Sequence, residues 1–132
     1  MLRVPVLEAA EPRTIECWLE LIETMMPKPV TRRGPCELVG GDPESVIVRV
    51  GPTRIVIQEA AIRWNGPSHP ERVGVPVADV PMRAPATRVT KLIARAHGRR
   101  ISRYRWCPMC RKVMQPEHMD GSVCHGCRSE QF

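Results

Sequence analysis

Aromatic side chains are scarce in this sequence: three Trp, one Tyr and one Phe among 132 residues. A core built without large rings is small and aliphatic. Lysine is nearly missing as well. Of 20 basic residues, 17 are Arg and three are Lys (Lys28, Lys91 and Lys112), a bias that fits a GC-rich bacterial or phage genome. No apolar run reaches the roughly 18 residues of a membrane-spanning helix, so no membrane role is expected. Residues Met1 to Glu8 also lack the apolar segment of about 7–15 residues that marks a signal peptide. A reducing cytoplasm is therefore the expected compartment. The most telling absence is local: between Asp79 and Glu117 there is no acidic residue.

That gap divides the chain electrostatically. Residues 1–79 hold 9 Lys and Arg against 11 Asp and Glu, a net −2, whereas residues 80–132 hold 11 against 3, a net +8. Codon bias would supply arginine but would not remove the acids. A basic half of this kind predicts a polyanionic partner.

The last quarter carries the clearest chemistry. Cys107-Pro108-Met109-Cys110 and Cys124-His125-Gly126-Cys127 are two Cys-x-x-Cys pairs separated by 13 residues. Zn²⁺ takes four ligands tetrahedrally, with Zn–S bonds of roughly 2.3 Å. Two intervening residues let one tight turn aim both sulfurs at a point, and Pro108 and Gly126 suit such turns. Four thiolates leave no open position for water, so the expected ion is one structural Zn²⁺ on Cys107, Cys110, Cys124 and Cys127. His125, inside the second pair, offers an alternative ligand. Cys17 and Cys36 are expected to be small buried apolar residues.

On these four cysteines, residues 104–132 resemble a zinc ribbon. The resemblance implies a β-hairpin module with a metal knuckle at each of two turns. Two features depart from it. Arg111 stands where zinc ribbons often have Gly, and the five residues after Cys127 are too few for a final helix, unlike a complete treble clef. Zinc ribbons occur in transcription factors, ribosomal proteins, polymerase subunits and interaction modules, so the resemblance implies a fold more than a function.

The remaining chain reads as α+β. Residues 11–26 predict a helix, with Pro12 in its first turn and Ile15, Trp18, Leu19, Ile22 and Met26 on one face; Pro27 and Pro29 stop it. Glu16, Glu20 and Glu23 mark a solvated face, or one resting on the basic half. Residues 27–45 read as loop with one short strand at Cys36–Val39. The β-branched runs 45–50 and 54–58, around Gly51-Pro52-Thr53, predict a hairpin. Together these make a small domain over residues 1–73. Pro76, Pro81 and Pro85 predict a linker over 74–87. A basic amphipathic helix follows, capped by Thr87 and ended by Gly98, with an arm to residue 103. The zinc ribbon then spans 104–132.

Ten Lys or Arg residues lie between Arg83 and Lys112. Arg88, Lys91, Arg95, Arg99, Arg100, Arg103, Arg105, Arg111 and Lys112 are the candidates for phosphate contact, since guanidinium forks match phosphate oxygens. Trp106 is expected to pack on the first knuckle. The function these features favour is a nucleic-acid-binding regulatory factor of transcription or replication, on DNA or RNA. The alternative is an adaptor subunit of a larger assembly that uses the zinc ribbon for protein contacts. Catalysis is not expected. Gly40-Gly41-Asp42 lacks a phosphate-loop Lys, and His69 has no nearby acid-base partner. A nuclease would have to use Glu117, His118 and Asp120, the only dense group of suitable side chains.

Overall fold

The computed structural model describes residues 13–66 and 69–130. It is α+β, as the sequence predicts. Helix α1 (Ile15–Met25) precedes five strands, β1 (Val30–Arg33), β2 (Glu37–Gly41), β3 (Glu44–Val50), β4 (Arg54–Trp64) and β5 (Pro70–Pro81). These form one antiparallel sheet in the order β1-β2-β3-β4-β5. Helix α2 (Ala86–Ile101) returns across the sheet, and the cysteine-bearing segment follows it.

Both helices cover the same face. Trp18, Leu19, Ile22 and Met26 from α1 meet Leu38, Val46, Val48, Val50, Ile55 and Ile57 from the sheet, and Val80, Val89, Ile93 and Ala96 complete one buried cluster. Period 3.6 on the helices and period 2 on the strands bring these side chains to one layer. Trp18, the largest of them, also donates its indole N–H to Met82 O at 3.0 Å, so its polar edge is satisfied without water.

Helix α1 starts later than the sequence suggests. Thr14 is its cap and accepts from Cys17 N at 3.0 Å, while Pro12 lies outside the described residues. Its acidic face is solvated at Glu16 and Glu20, as one reading of the sequence expects, and does not meet the basic half. Arg32 on β1 reaches Glu16 at 2.9 Å and Glu23 at 2.5 Å, pinning the edge strand to the helix. Cys17 lies on that same outer face and is exposed, and Cys36 is half-buried, so neither thiol is a core residue.

The hairpin forms in the expected place, with Val50 opposite Ile55. Two other expectations give way to the sheet. Residues 30–41 are two strands, not loop, because β3 offers a free edge and Leu38 and Val39 have somewhere to bury. Residues 59–64, which the sequence leaves open between strand and helical turn, extend β4 as strand. Residues 74–81 are β5, not a linker: Val80 enters the core, and Pro76 and Pro81 are tolerated because β5 lies at the edge of the sheet. The basic helix is consequently part of the core, and most of the expected arm after Gly98 is its last turn. It begins at Ala86 with Pro85 at its cap, and Thr87 makes no cap bond. Gly98 lies inside it, since the helix continues to Ile101.

Gly40 shows how tightly the pieces close. A Cβ there would lie 2.5 Å from Pro27 O, so only glycine lets β2 pass the turn after α1. No helix among the described residues is long and apolar enough to cross a membrane.

Candidate metal centre

After α2 the chain builds two miniature hairpins. Strand β6 (Arg105–Cys107) pairs with β7 (Lys112–Met114), and the first Cys-x-x-Cys forms the turn between them. A 3-10 turn, Pro116–His118, leads to β8 (Met119–Asp120), which pairs with β9 (Val123–Cys124). Helix α3 (His125–Glu130) closes the module. A helix does therefore form near the C-terminus. The count of residues after Cys127 misleads because the helix starts at His125 and takes Cys127 into its own first turn.

The four cysteine sulfurs converge. Their Sγ atoms all lie within 4.8 Å of one another. Cys107 and Cys127 sulfurs stand 3.7 Å apart, and those of Cys110 and Cys124 stand 3.9 Å apart. A tetrahedron with Zn–S bonds of roughly 2.3 Å has edges of about 3.8 Å. The donor set thus fits a tetrahedral thiophilic cation, and Cys107, Cys110, Cys124 and Cys127 are the residues that would hold it. They form the only candidate metal cluster among the described residues. Cys107, Cys124 and Cys127 are buried, with Val123 beside them and Met114 and Met119 packed against the group.

The electrostatics favour thiolate at one corner. Backbone N–H groups of Cys110, Cys124 and Met109 aim at the Cys107 sulfur and draw its thiol down to about 6. The Cys124 N–H lies 3.4 Å from that sulfur. Cys127 shares a hydrogen bond with the Cys124 thiol and is removed from water, and its thiol is pushed up to about 12. A divalent cation held by these four residues would supply the charge that lets all four ionise. Arg111 leaves the first knuckle at φ 59°, the left-handed conformation that glycine takes most readily. That is the position where the sequence departs from zinc ribbons, and the backbone keeps the turn regardless.

His125 is not part of the sulfur cluster. It is exposed at the start of α3, and its ring packs on Trp64 with centroids 5.4 Å apart. His118 meets the same indole edge-on, also at 5.4 Å. Burial holds the His118 imidazole below its ordinary pKa. The Trp64 indole N–H donates to Glu117 O at 2.8 Å. One tryptophan at the end of β4 thus seats the module on the sheet.

Further contacts lock that joint. Arg100, fully buried, donates through both terminal nitrogens to the Glu117 carboxylate at 2.8 and 2.6 Å. Tyr104 donates its hydroxyl to Pro43 O at 2.8 Å, and its ring lies beneath the Arg100 guanidinium at 5.6 Å. Glu59, fully buried on β4, receives a hydrogen bond from Arg103, and Arg99 Nε lies 3.6 Å from its other oxygen.

The nine basic candidates therefore divide. Arg99, Arg100 and Arg103 have acidic partners within the chain, and Arg100 has no surface to offer a phosphate. The other six, Arg88, Lys91, Arg95, Arg105, Arg111 and Lys112, are exposed and make no ion pair among the described residues. Arg88, Lys91 and Arg95 share one stripe of α2 through spacings of three and four. The Glu117, His118 and Asp120 group does not assemble as a unit. Glu117 turns to Arg100, His118 to Trp64, and Asp120 lies 3.4 Å from Arg128. Trp106 is 56% exposed and does not pack on the knuckle.

Sequence reasoning missed Trp64, Glu59 and Tyr104 as docking residues. Glu59 carried a signal, since it continues the inward alternation of Ile55 and Ile57. A charge at a core position requires a partner. Compared with protein-family models, with curated proteins and with solved structures, the chain gives no match.

Proposed function

We propose that this is a nucleic-acid-binding protein whose C-terminal zinc-ribbon-like module holds one structural Zn²⁺ on Cys107, Cys110, Cys124 and Cys127, and that it acts as a small regulatory factor. The observation that carries the reading is the segregation of unpaired cations. Of the nine described arginines outside the nine basic candidates, six meet a carboxylate, Arg32, Arg49, Arg54, Arg63, Arg72 and Arg128, and only Arg13, Arg33 and Arg83 do not. On α2 and the first knuckle six cations have none. Uncompensated like charges repel one another, and a polyanion relieves that repulsion.

Four cysteine ligands leave the ion no open coordination position, so its role is to hold the knuckles in place. The body of the protein holds the cationic stripe of α2 by burying its opposite face.

The test is the salt dependence of binding to labelled oligonucleotides. With about four phosphate contacts, log K should fall against log salt with a slope near −3.6 on duplex DNA or −2.8 on a single strand. Replacing Arg88 and Arg95 by Ala removes two of these contacts and should flatten the duplex slope by about 1.8. All sequences should weaken alike, because phosphate contacts position without specifying. Binding that ignores both substitutions refutes the reading.

A further inference from the structure

The third tryptophan is unlike the other two. Trp18 is buried and Trp64 is clamped between two histidines, but Trp106 is 56% exposed. Its cross-strand partner on β7 is Val113, itself 51% exposed. The metal centre explains how such a ring can be held outward. Side chains alternate along a strand, so turning Cys107 toward the other sulfurs turns Trp106 away from them. The two short strands are stapled by the Cys107–Cys110 knuckle and need no apolar core on that face. Directly opposed residues in a ribbon lie about 5 Å apart, so Val113 forms a floor beside the indole.

The patch is small and its rim is cationic. Arg105 precedes Trp106 on β6, Lys112 precedes Val113 on β7, and Arg111 lies in the turn just before β7; all three are exposed and make no ion pair among the described residues. The ribbon is only two strands wide, so long side chains from either edge reach around it. No acidic residue occurs between Asp79 and Glu117 to oppose an anion there.

Resting on the nucleic-acid reading above, we propose that this hairpin is a stacking platform for single-stranded nucleic acid. One unpaired base lies on Trp106 and Val113, while Arg105, Arg111 and Lys112 contact the phosphates on either side. The flat, open indole commits the platform to single strands, since a duplex hides its base faces within the stack. The cationic rim selects a polyanion over an apolar protein surface. Stacking on an indole is tolerant of base identity, so the platform contributes affinity and strand preference but no sequence readout.

The test uses the full-length zinc-loaded protein and fluorescein-labelled oligo(dT), with a mixed-sequence duplex as comparison. Trp106→Ala should weaken single-strand binding by about 5- to 150-fold, the range observed for loss of one stacked base. Trp106→Phe, which keeps a ring, should recover most of that loss. Duplex affinity should change less than about twofold, and the salt slope should not change, because no phosphate contact is removed. Oligo(dT) should also quench intrinsic fluorescence in the wild type and much less in Trp106→Ala, whose remaining tryptophans are engaged within the fold, Trp18 in the core and Trp64 against His118 and His125. Three outcomes overturn the proposal. Unchanged single-strand binding in Trp106→Ala assigns the patch to something else, such as a protein. Equal losses on single strand and duplex mark a structural effect. A wild type that binds neither strand removes the nucleic-acid reading itself.

Discussion

Removing the Glu117 carboxylate tests how the metal module is joined to the sheet. In the folded protein the Arg100 side chain is 1% exposed and that of Glu117 is 22% exposed. Glu117→Ala leaves a guanidinium inside the joint with no counter-charge; its Nε already lacks a partner. Breaking one side of a buried pair costs about 3–5 kcal/mol. Because Glu117 lies partly at the surface, water can enter the space left behind, and the lower end, about 3 kcal/mol, is the expected loss. With a urea slope of about 2 kcal/mol/M this moves the midpoint down by about 1.5 M. Arg100→Met with Glu117→Leu removes both charges and should return the midpoint most of the way, since apolar replacements of a buried pair are often neutral. Burial alone would push the Glu117 carboxyl up, but the Arg100 hydrogen bonds and charge, together with backbone N–H groups, outweigh it and hold its pKa below the ordinary value. A depressed carboxylate stabilises the fold fully above its unfolded pKa, about 4.3, and the stabilisation fades as pH falls through the folded value. The gap between wild type and Glu117→Gln should therefore close in acid, below about pH 4. Cysteine protonation is common to both proteins and cancels in the difference. Equilibrium unfolding in urea at fixed zinc measures all of this. A Glu117→Ala midpoint within about 0.3 M of wild type would show that the latch contributes nothing to stability.

Two further perturbations separate the metal from the packing. Chelation, or Cys110→Ser, should remove the bound ion and the hydrogen-exchange protection of residues 105–130 while β2, β3 and β4 stay protected. Structural zinc contributes about 10–16 kcal/mol in small zinc peptides, far more than the few apolar residues of this module supply. Metal analysis of folded protein should give one zinc per chain, and a value near zero sinks the assignment. On the sheet, Gly40→Ala drives a Cβ against the Pro27 carbonyl at 2.5 Å. Backbone has no room to yield there, so thermal melting should show a loss of about 1–3 kcal/mol. Gly74→Ala meets only the end of the Gln58 side chain, which can swing aside, so its melting temperature should fall less. Equal losses at the two glycines would contradict that distinction.

Much of this architecture is written locally in the chain. The Cys107–Cys110 and Cys124–Cys127 spacings name the candidate ligands because two-residue knuckles are a short-range geometric requirement. Period 3.6 marks α1 and α2, and β-branched runs around Gly51-Pro52 mark the β3–β4 hairpin, since each depends only on neighbours along the sequence. Edge positions are not local. Whether Pro76 sits in a linker or in an outer strand depends on β4 lying alongside, and the residues 30–41 become strands only because β3 presents hydrogen-bonding groups to them. The same limit governs charge. In the sequence, Arg88, Arg95, Arg99 and Arg100 are equivalent members of one basic run. The fold separates them because Glu59 and Glu117, distant in the chain, arrive at the C-terminal end of α2 and bind the last arginines. Trp64 and Trp106 are sorted in the same way: one meets His118 and His125, and the other is turned outward by Cys107 facing the metal site. Ligand identity is set by spacing; which cations and rings remain available to a partner is set by long-range packing, where burying a charge or an indole edge demands a partner that only the tertiary structure can bring.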